Sequence, residues 1–152
     1  MSAIRFDMFD EKKREADVRI QAAIEPFVTA GETLVGCLMA TAKSSFSAKM
    51  FAIGVTDQRL IMALVDRKLE PKGEPVTIRA ADIVKSSVDG FGGGLRHFLT
   101  EDLGDIRVDT KDEKYKLMMM GGGMDQMFVG EGQMAGKQAF LEFLHAARGL
   151  TP

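Results

Sequence analysis

Apolar positions change their spacing twice along the chain. From Asp10 to about Glu25 they recur every three or four residues (Ala16, Ile20, Ala23, Ile24, then Phe27), while Lys12, Lys13, Arg14 and Arg19 project elsewhere. That spacing predicts an amphipathic helix. Asp10 suits its N-cap, because a carboxylate accepts the unpaired amide protons of a first turn. Pro26 disfavours helical geometry at Glu25 and ends or kinks the helix there.

From Thr33 onward the pattern turns to β. Predicted strands run over Leu34–Ala42, Met50–Thr56, Arg59–Val65, Pro75–Arg79, Ile83–Asp89, Asp105–Thr110 and Lys114–Met120. The link Thr56-Asp57-Gln58-Arg59 is short enough to force an antiparallel hairpin. Phe91 to Leu103 reads as a long, Gly-rich connection with room for a short strand at Leu95–Leu99. Seven strands with mostly short links favour a barrel or sandwich over a parallel sheet. After Gly121-Gly122-Gly123 the helical spacing returns over Gln133–Arg148. Phe140, Phe143, Leu144 and Ala147 share one face of this helix, with Lys137, Glu142 and Arg148 outside it. Such a stripe suits a helix that plugs an open barrel mouth. The expected fold class is therefore mainly β (α+β): a seven-stranded antiparallel barrel or orthogonal sandwich, capped by a C-terminal helix and preceded by an extra N-terminal one.

Composition narrows this picture. A chain of 152 residues that is 45% hydrophobic and 28% charged suits one globular domain. The expected division is a helical extension over residues 1–30 and a β domain over 31–149. A net charge of −2 gives no global attraction to nucleic acid, and none is expected as a partner. The balance is also even: residues 1–30 hold 5 basic and 6 acidic side chains, the remainder 15 and 16. Any charged binding face must be local. The N-terminal segment lacks an apolar core for a signal peptide, and the longest aliphatic or Met run, Leu60 to Val65, is far short of the ~20 residues a membrane helix needs. A cytoplasmic protein, with attachment at a membrane periphery as the alternative, is the expectation. A single cysteine, Cys37, cannot form an internal disulfide.

Three fragments then carry a resemblance. Gly31-Glu32 before the first strand, Ile53-Gly54-Val55-Thr56-Asp57-Gln58-Arg59-Leu60-Ile61 across the hairpin, and Asp82-Ile83 opening a later strand resemble the bacterial PH-like (YokE/GRAM-like) domains. The similarity covers roughly residues 31–148. It implies a barrel-capping helix near Gln133 and a non-catalytic binding module. The Gly-rich connection at Gly90–Gly94 and the Met-rich run Met118–Met127 depart from the family's compact form. At the hairpin, Asp57 and Arg59 read as a turn-stabilising pair.

Candidate chemistry is thin. Glu131-Gly132-Gln133-Met134-Ala135-Gly136-Lys137-Gln138 superficially mimics a phosphate loop, but Glu131 replaces its first glycine and Gln138 its magnesium-binding hydroxyl. His97 with Glu101 and Asp102 is the one group resembling an acid–base site, and it falls in a connection. His145 sits where a cation complements a helix C-terminus. The methionines lack the His or Cys that usually accompanies them in a metal site. No catalytic residue, metal or cofactor is expected. The first expectation for function is recognition of a protein segment or of another copy, through the N-terminal helix, the Met-rich stretch or an open sheet edge. The second is binding of anionic lipid by the loop between the first two strands. There Lys43 and Lys49 would meet phosphates, Ser45 would donate hydrogen bonds and Phe46 would enter the interface.

Overall fold

The computed structural model describes residues 15–43, 48–90, 104–119 and 131–148. Helix α1 covers residues 15–24 and passes into a 3-10 turn at Glu25–Phe27, which contains Pro26. Seven strands follow: β1 (Leu34–Lys43), β2 (Ala48–Thr56), β3 (Arg59–Val65), β4 (Val76–Arg79), β5 (Ile83–Gly90), β6 (Gly104–Thr110) and β7 (Lys114–Met119). Helix α2 (Glu131–Arg148) ends the described chain. The strand option at Leu95–Leu99 and the N-cap at Asp10 lie outside the described residues.

All seven strands form one antiparallel sheet in the order β4-β3-β2-β1-β7-β6-β5. The expected seven-stranded, helix-capped architecture stands, in its sandwich form. Hydrogen bonds do not close the sheet, because β4 and β5 are its two edges. The reason is local. β4 has only four residues, and a 3-10 turn at Ala80–Asp82 redirects the chain before β5 begins, held by Arg79 N donating to Asp82 Oδ2 at 3.0 Å.

Two hydrophobic layers share the sheet. On the inner face Leu38, Ile53, Leu60, Met62, Ile78, Ile106 and Leu117 pack around Phe140 and Leu144 of α2. On the outer face Ile20, Ala23 and Ile24 of α1 cover Met39, Ala52, Ile61, Ala63 and Val65. β3 therefore buries alternate residues against each layer, which is why Leu60–Val65 shows no polar alternation. Two glycines permit these contacts. A Cβ at Gly54 would collide with Ile24 of α1, and one at Gly136 would lie 2.6 Å from the Cys37 carbonyl carbon and 2.8 Å from Leu38 Cβ.

That second contact explains the phosphate-loop mimic. Gly136 is a helix-interior residue that lets α2 rest on the β1 backbone. The buried sector of α2 is also wider than its aromatic stripe implies. Gly136, Lys137, Ala139, Phe140, Leu141 and Leu144 are all buried. Lys137, expected outside, is fully enclosed and engaged with a neighbour. Glu142 is exposed as expected.

Candidate protein-recognition groove

The residues that carry the family resemblance come together, with partners other than those expected. Asp57 and Arg59 do not pair with each other. Asp57 instead exchanges two hydrogen bonds with Thr33, its Oδ1 accepting from Thr33 N and its own N–H donating to Thr33 O, both at 3.0 Å. Arg59 grips Glu32, with Nε 2.8 Å from Oε2 and Nη2 3.0 Å from Oε1. The same guanidinium donates to Phe27 O at 2.7 Å and Thr77 Oγ1 at 3.1 Å. Thr56, buried in the turn, accepts from the Arg59 amide at 2.9 Å and donates to Glu32 Oε2 at 2.8 Å.

Arg59 thus ties four pieces of chain together: the turn after α1, the lead into β1, β3 and β4. The Gly31-Glu32 fragment and the hairpin fragment, joined by bonds that span 24 and 27 residues, are halves of one clasp. Gly31, at φ +85°, provides the turn that aims Glu32 inward. The Glu32 side chain is only 1% exposed. Arg59 beside it, helped by the Thr29 amide and the Thr56 hydroxyl, holds its carboxyl down to about 2 against the burial that opposes ionisation. Each donor is satisfied within the fold, so the clasp is a structural device.

What the clasp positions is a groove. Its floor and walls come from three elements: Asp17, Ile20 and Gln21 of α1 with Glu25 and Val28 just beyond; Leu34, Val35, Gly36 and Cys37 of β1; and Ala135 of α2. Its volume is about 500 Å³. A β-bulge between Leu34 and Gly36 turns Val35 outward, leaving it 56% exposed. Val18, one helical turn from Gln21, is 65% exposed. The groove is thus apolar at its base, acidic through Asp17 of α1 and Glu25 of the turn after it, and among the described residues has no Lys or Arg in its lining.

Cys37 lies in this groove without being reactive. Burial, with a contribution from the Glu25 charge, pushes its thiol up to about 11 from 9.0. Both effects oppose thiolate formation, the opposite of an activated nucleophile. Iodoacetamide should therefore alkylate Cys37 about a hundredfold more slowly in the folded protein than in urea at the same pH, near 8. Equal rates would show the thiol to be unburied.

The residues expected to meet lipid are only partly placed. Ser45 and Phe46 lie outside the described residues, as does the side chain of Lys43, the last residue of β1. Lys49 is exposed on β2 and lines a shallow depression of about 660 Å³ with Arg67, Lys68 and Lys72, beside Asp66 and Glu70. Sequence reasoning missed those three cations. The signal was available, because the hairpin pairs Met50 with Val65 and so brings the β3–β4 link beside the β1–β2 link. Asp66 shapes that link by accepting from the Lys68 and Glu70 amides.

His97, Glu101 and Asp102 lie outside the described residues, as does Met120–Met127; His145 is exposed on α2. Among the described residues, no three His, Cys, Asp or Glu are placed to hold a metal ion. No described helix is long and apolar enough to cross a membrane.

No protein-family model matches the chain, and no curated protein sequence does. Solved structures do. The hSac2 domain from the human phosphoinositide phosphatase Sac2 is 9% identical, with 87% of this chain and 83% of that one covered at a TM-score of 0.50. A PH domain within OCRL, described as bridging clathrin-mediated membrane trafficking to phosphoinositide metabolism, is 14% identical over 88% and 79% at 0.49. The chain shares its architecture with the hSac2 domain. At such identities the likeness concerns architecture alone, and the bacterial YokE/GRAM-like assignment stays a resemblance.

Proposed function

We propose that this PH-like chain is a non-catalytic binding module that recognises a protein segment in the groove between α1, β1 and α2. The observation that carries the reading is the groove's composition: an apolar base that includes the strongly exposed Val35, beside an acidic wall. That combination favours a segment presenting an apolar side chain between basic ones. Strand addition is the weaker route. β4 is very short and β5 carries a bulge beside Lys85, both of which discourage edge pairing.

Selection of a random-peptide library on the immobilised full chain tests this. Basic–apolar sequences should be enriched, and Val35→Asp should weaken the selected peptides at least tenfold, since it places a charge in the apolar centre of the contact. Val35 is exposed, so the variant should keep the wild-type circular dichroism and melting profile. Peptides that bind wild type and Val35→Asp equally would remove the groove from consideration.

A second reading rests on the Lys49 depression. Its four cations, Lys49, Arg67, Lys68 and Lys72, make that end of the sheet a candidate for anionic lipid head groups, to which the sequence-predicted lipid residues Lys43, Ser45 and Phe46 would add. Each cation near an anionic surface contributes about 1 kcal/mol, so four act where two would not. Co-sedimentation with phosphatidylserine vesicles should fall sharply in a Lys43→Glu, Lys49→Glu variant, and further with Lys68→Glu and Lys72→Glu. Unchanged sedimentation would end this reading.

A further inference from the structure

We infer that the groove's occupant is a second copy of this chain, seated by the outer face of β5, β6 and β7, so that copies join head to tail. The inference rests on the groove being a protein-recognition site and names what fills it. Three large hydrophobic residues stand out as exposed among the described residues: Val18, Val35 and Val84. Val35 lines the groove, and Val18 lies on α1 next to the groove residue Asp17. Val84, 49% exposed, lies on the other half of the sheet, where β5 shifts register between Ile83 and Lys85.

The surroundings of Val84 are opposite in charge to the groove. Strand register sets Lys85 opposite Asp109 and Asp109 opposite Lys114, making one row across β5, β6 and β7. The adjoining row is Ser87, Arg107 and Lys116. Val108 and Leu117, which alternate with these positions, are buried in the inner core, so the two rows face outward. Lys85, Arg107, Lys114 and Lys116 are all exposed. Asp109 is the sole acid in the two rows, and its Oδ1 is buried without a hydrogen-bond partner. A valine beside four cations is the feature that an apolar groove with an acidic wall would accept.

The two surfaces belong to different parts of the sheet. α1 covers the outer face of β1 to β3, whereas the basic field is the outer face of β5 to β7. Neither patch complements itself, so the contact is heterologous. Each copy keeps one unused groove and one unused basic face, and the chain grows until it closes into a ring or continues as a filament.

Sedimentation velocity of the full chain decides the matter. The wild type should form species larger than a monomer that grow with concentration at low salt. They should shrink at about 0.5 M salt, where charges are screened within a few Å. Val35→Asp disables the groove, and Lys85→Glu with Lys114→Glu disables the basic face. Each variant alone should be monomeric, with association weakened at least tenfold. An equimolar mixture of the two should give a 1:1 dimer and nothing larger, because one intact groove then meets one intact face. A wild type that stays monomeric at all concentrations and salts would overturn the inference, as would variants that associate like wild type or a mixture that forms no dimer. Groove-dependent peptide binding by a monomeric wild type would sink this inference alone and leave the recognition reading in place. Loss of both results would sink both.

Discussion

Gly136→Ala will destabilise the protein by roughly 3 kcal/mol, the upper part of the range for overpacking a well-packed site. Helix propensity alone gives the opposite sign, since alanine is favoured over glycine by about 1 kcal/mol in a helix interior. The difference is steric. The new methyl would meet the carbonyl of Cys37 and the Cβ of Leu38, which are backbone and near-backbone atoms that cannot rotate away. Either α2 lifts from β1 or the strand bends. Lifting also loosens Phe140 and Leu144, both fully buried against the inner sheet. Urea unfolding read by circular dichroism checks this, with Gly132→Ala near the start of the same helix as a comparison. A neutral or stabilising Gly136→Ala would mean that α2 does not touch β1 as described.

Arg59→Ala should cost about 3 kcal/mol, because it leaves the Glu32 carboxylate buried without its cation. In a domain of this size that lowers Tm by about 10 °C. Arg59→Lys should recover less than half of the loss, since an ammonium cannot reach Glu32, Phe27 O and Thr77 together as the planar fork does. The pH dependence has a definite sign. The Glu32 carboxyl titrates at about 2 when folded against 4.5 unfolded. The unfolded chain therefore takes up the proton first as pH falls, and native stability declines with it. The pair's contribution is fully present above about pH 4.5 and disappears as the pH drops through about 2. The urea-midpoint gap between wild type and Arg59→Ala should accordingly narrow across that interval. A gap that stays constant would show that the two side chains do not share their proton balance.

Much of the architecture was readable before any coordinates. Each strand was located within about two residues of its observed ends, because half-buried antiparallel strands alternate and their links carry Gly, Asp or Pro. Ile20, Ala23 and Ile24 pack as the spacing predicts, and Ala16 on the same stripe is buried. What escaped the pattern depends on contacts between distant segments. The unbroken apolar run of β3 predicts a strand by itself, and only its lack of polar alternation points to a cover on both faces and hence a seat for α1. The short link at Asp57 and Arg59 indicated a turn, while the partners Thr33 and Glu32 required knowing that β1 starts beside it. Residue type predicts a wet position for Lys137, whereas the helix buries more than its aromatic face. The groove was invisible for the same reason. Its lining comes from α1, β1 and α2, and only a β-bulge at Val35 exposes its most accessible apolar residue.

An amide-resolved NMR titration of the full chain with a library-selected basic–apolar peptide bears most directly on the functional account. Shift changes should cluster at residues 17–25, 34–37 and around 135, and vanish in Val35→Asp. Changes centred instead on Lys49 and Arg67–Lys72, or a response that Val35→Asp leaves intact, would contradict it.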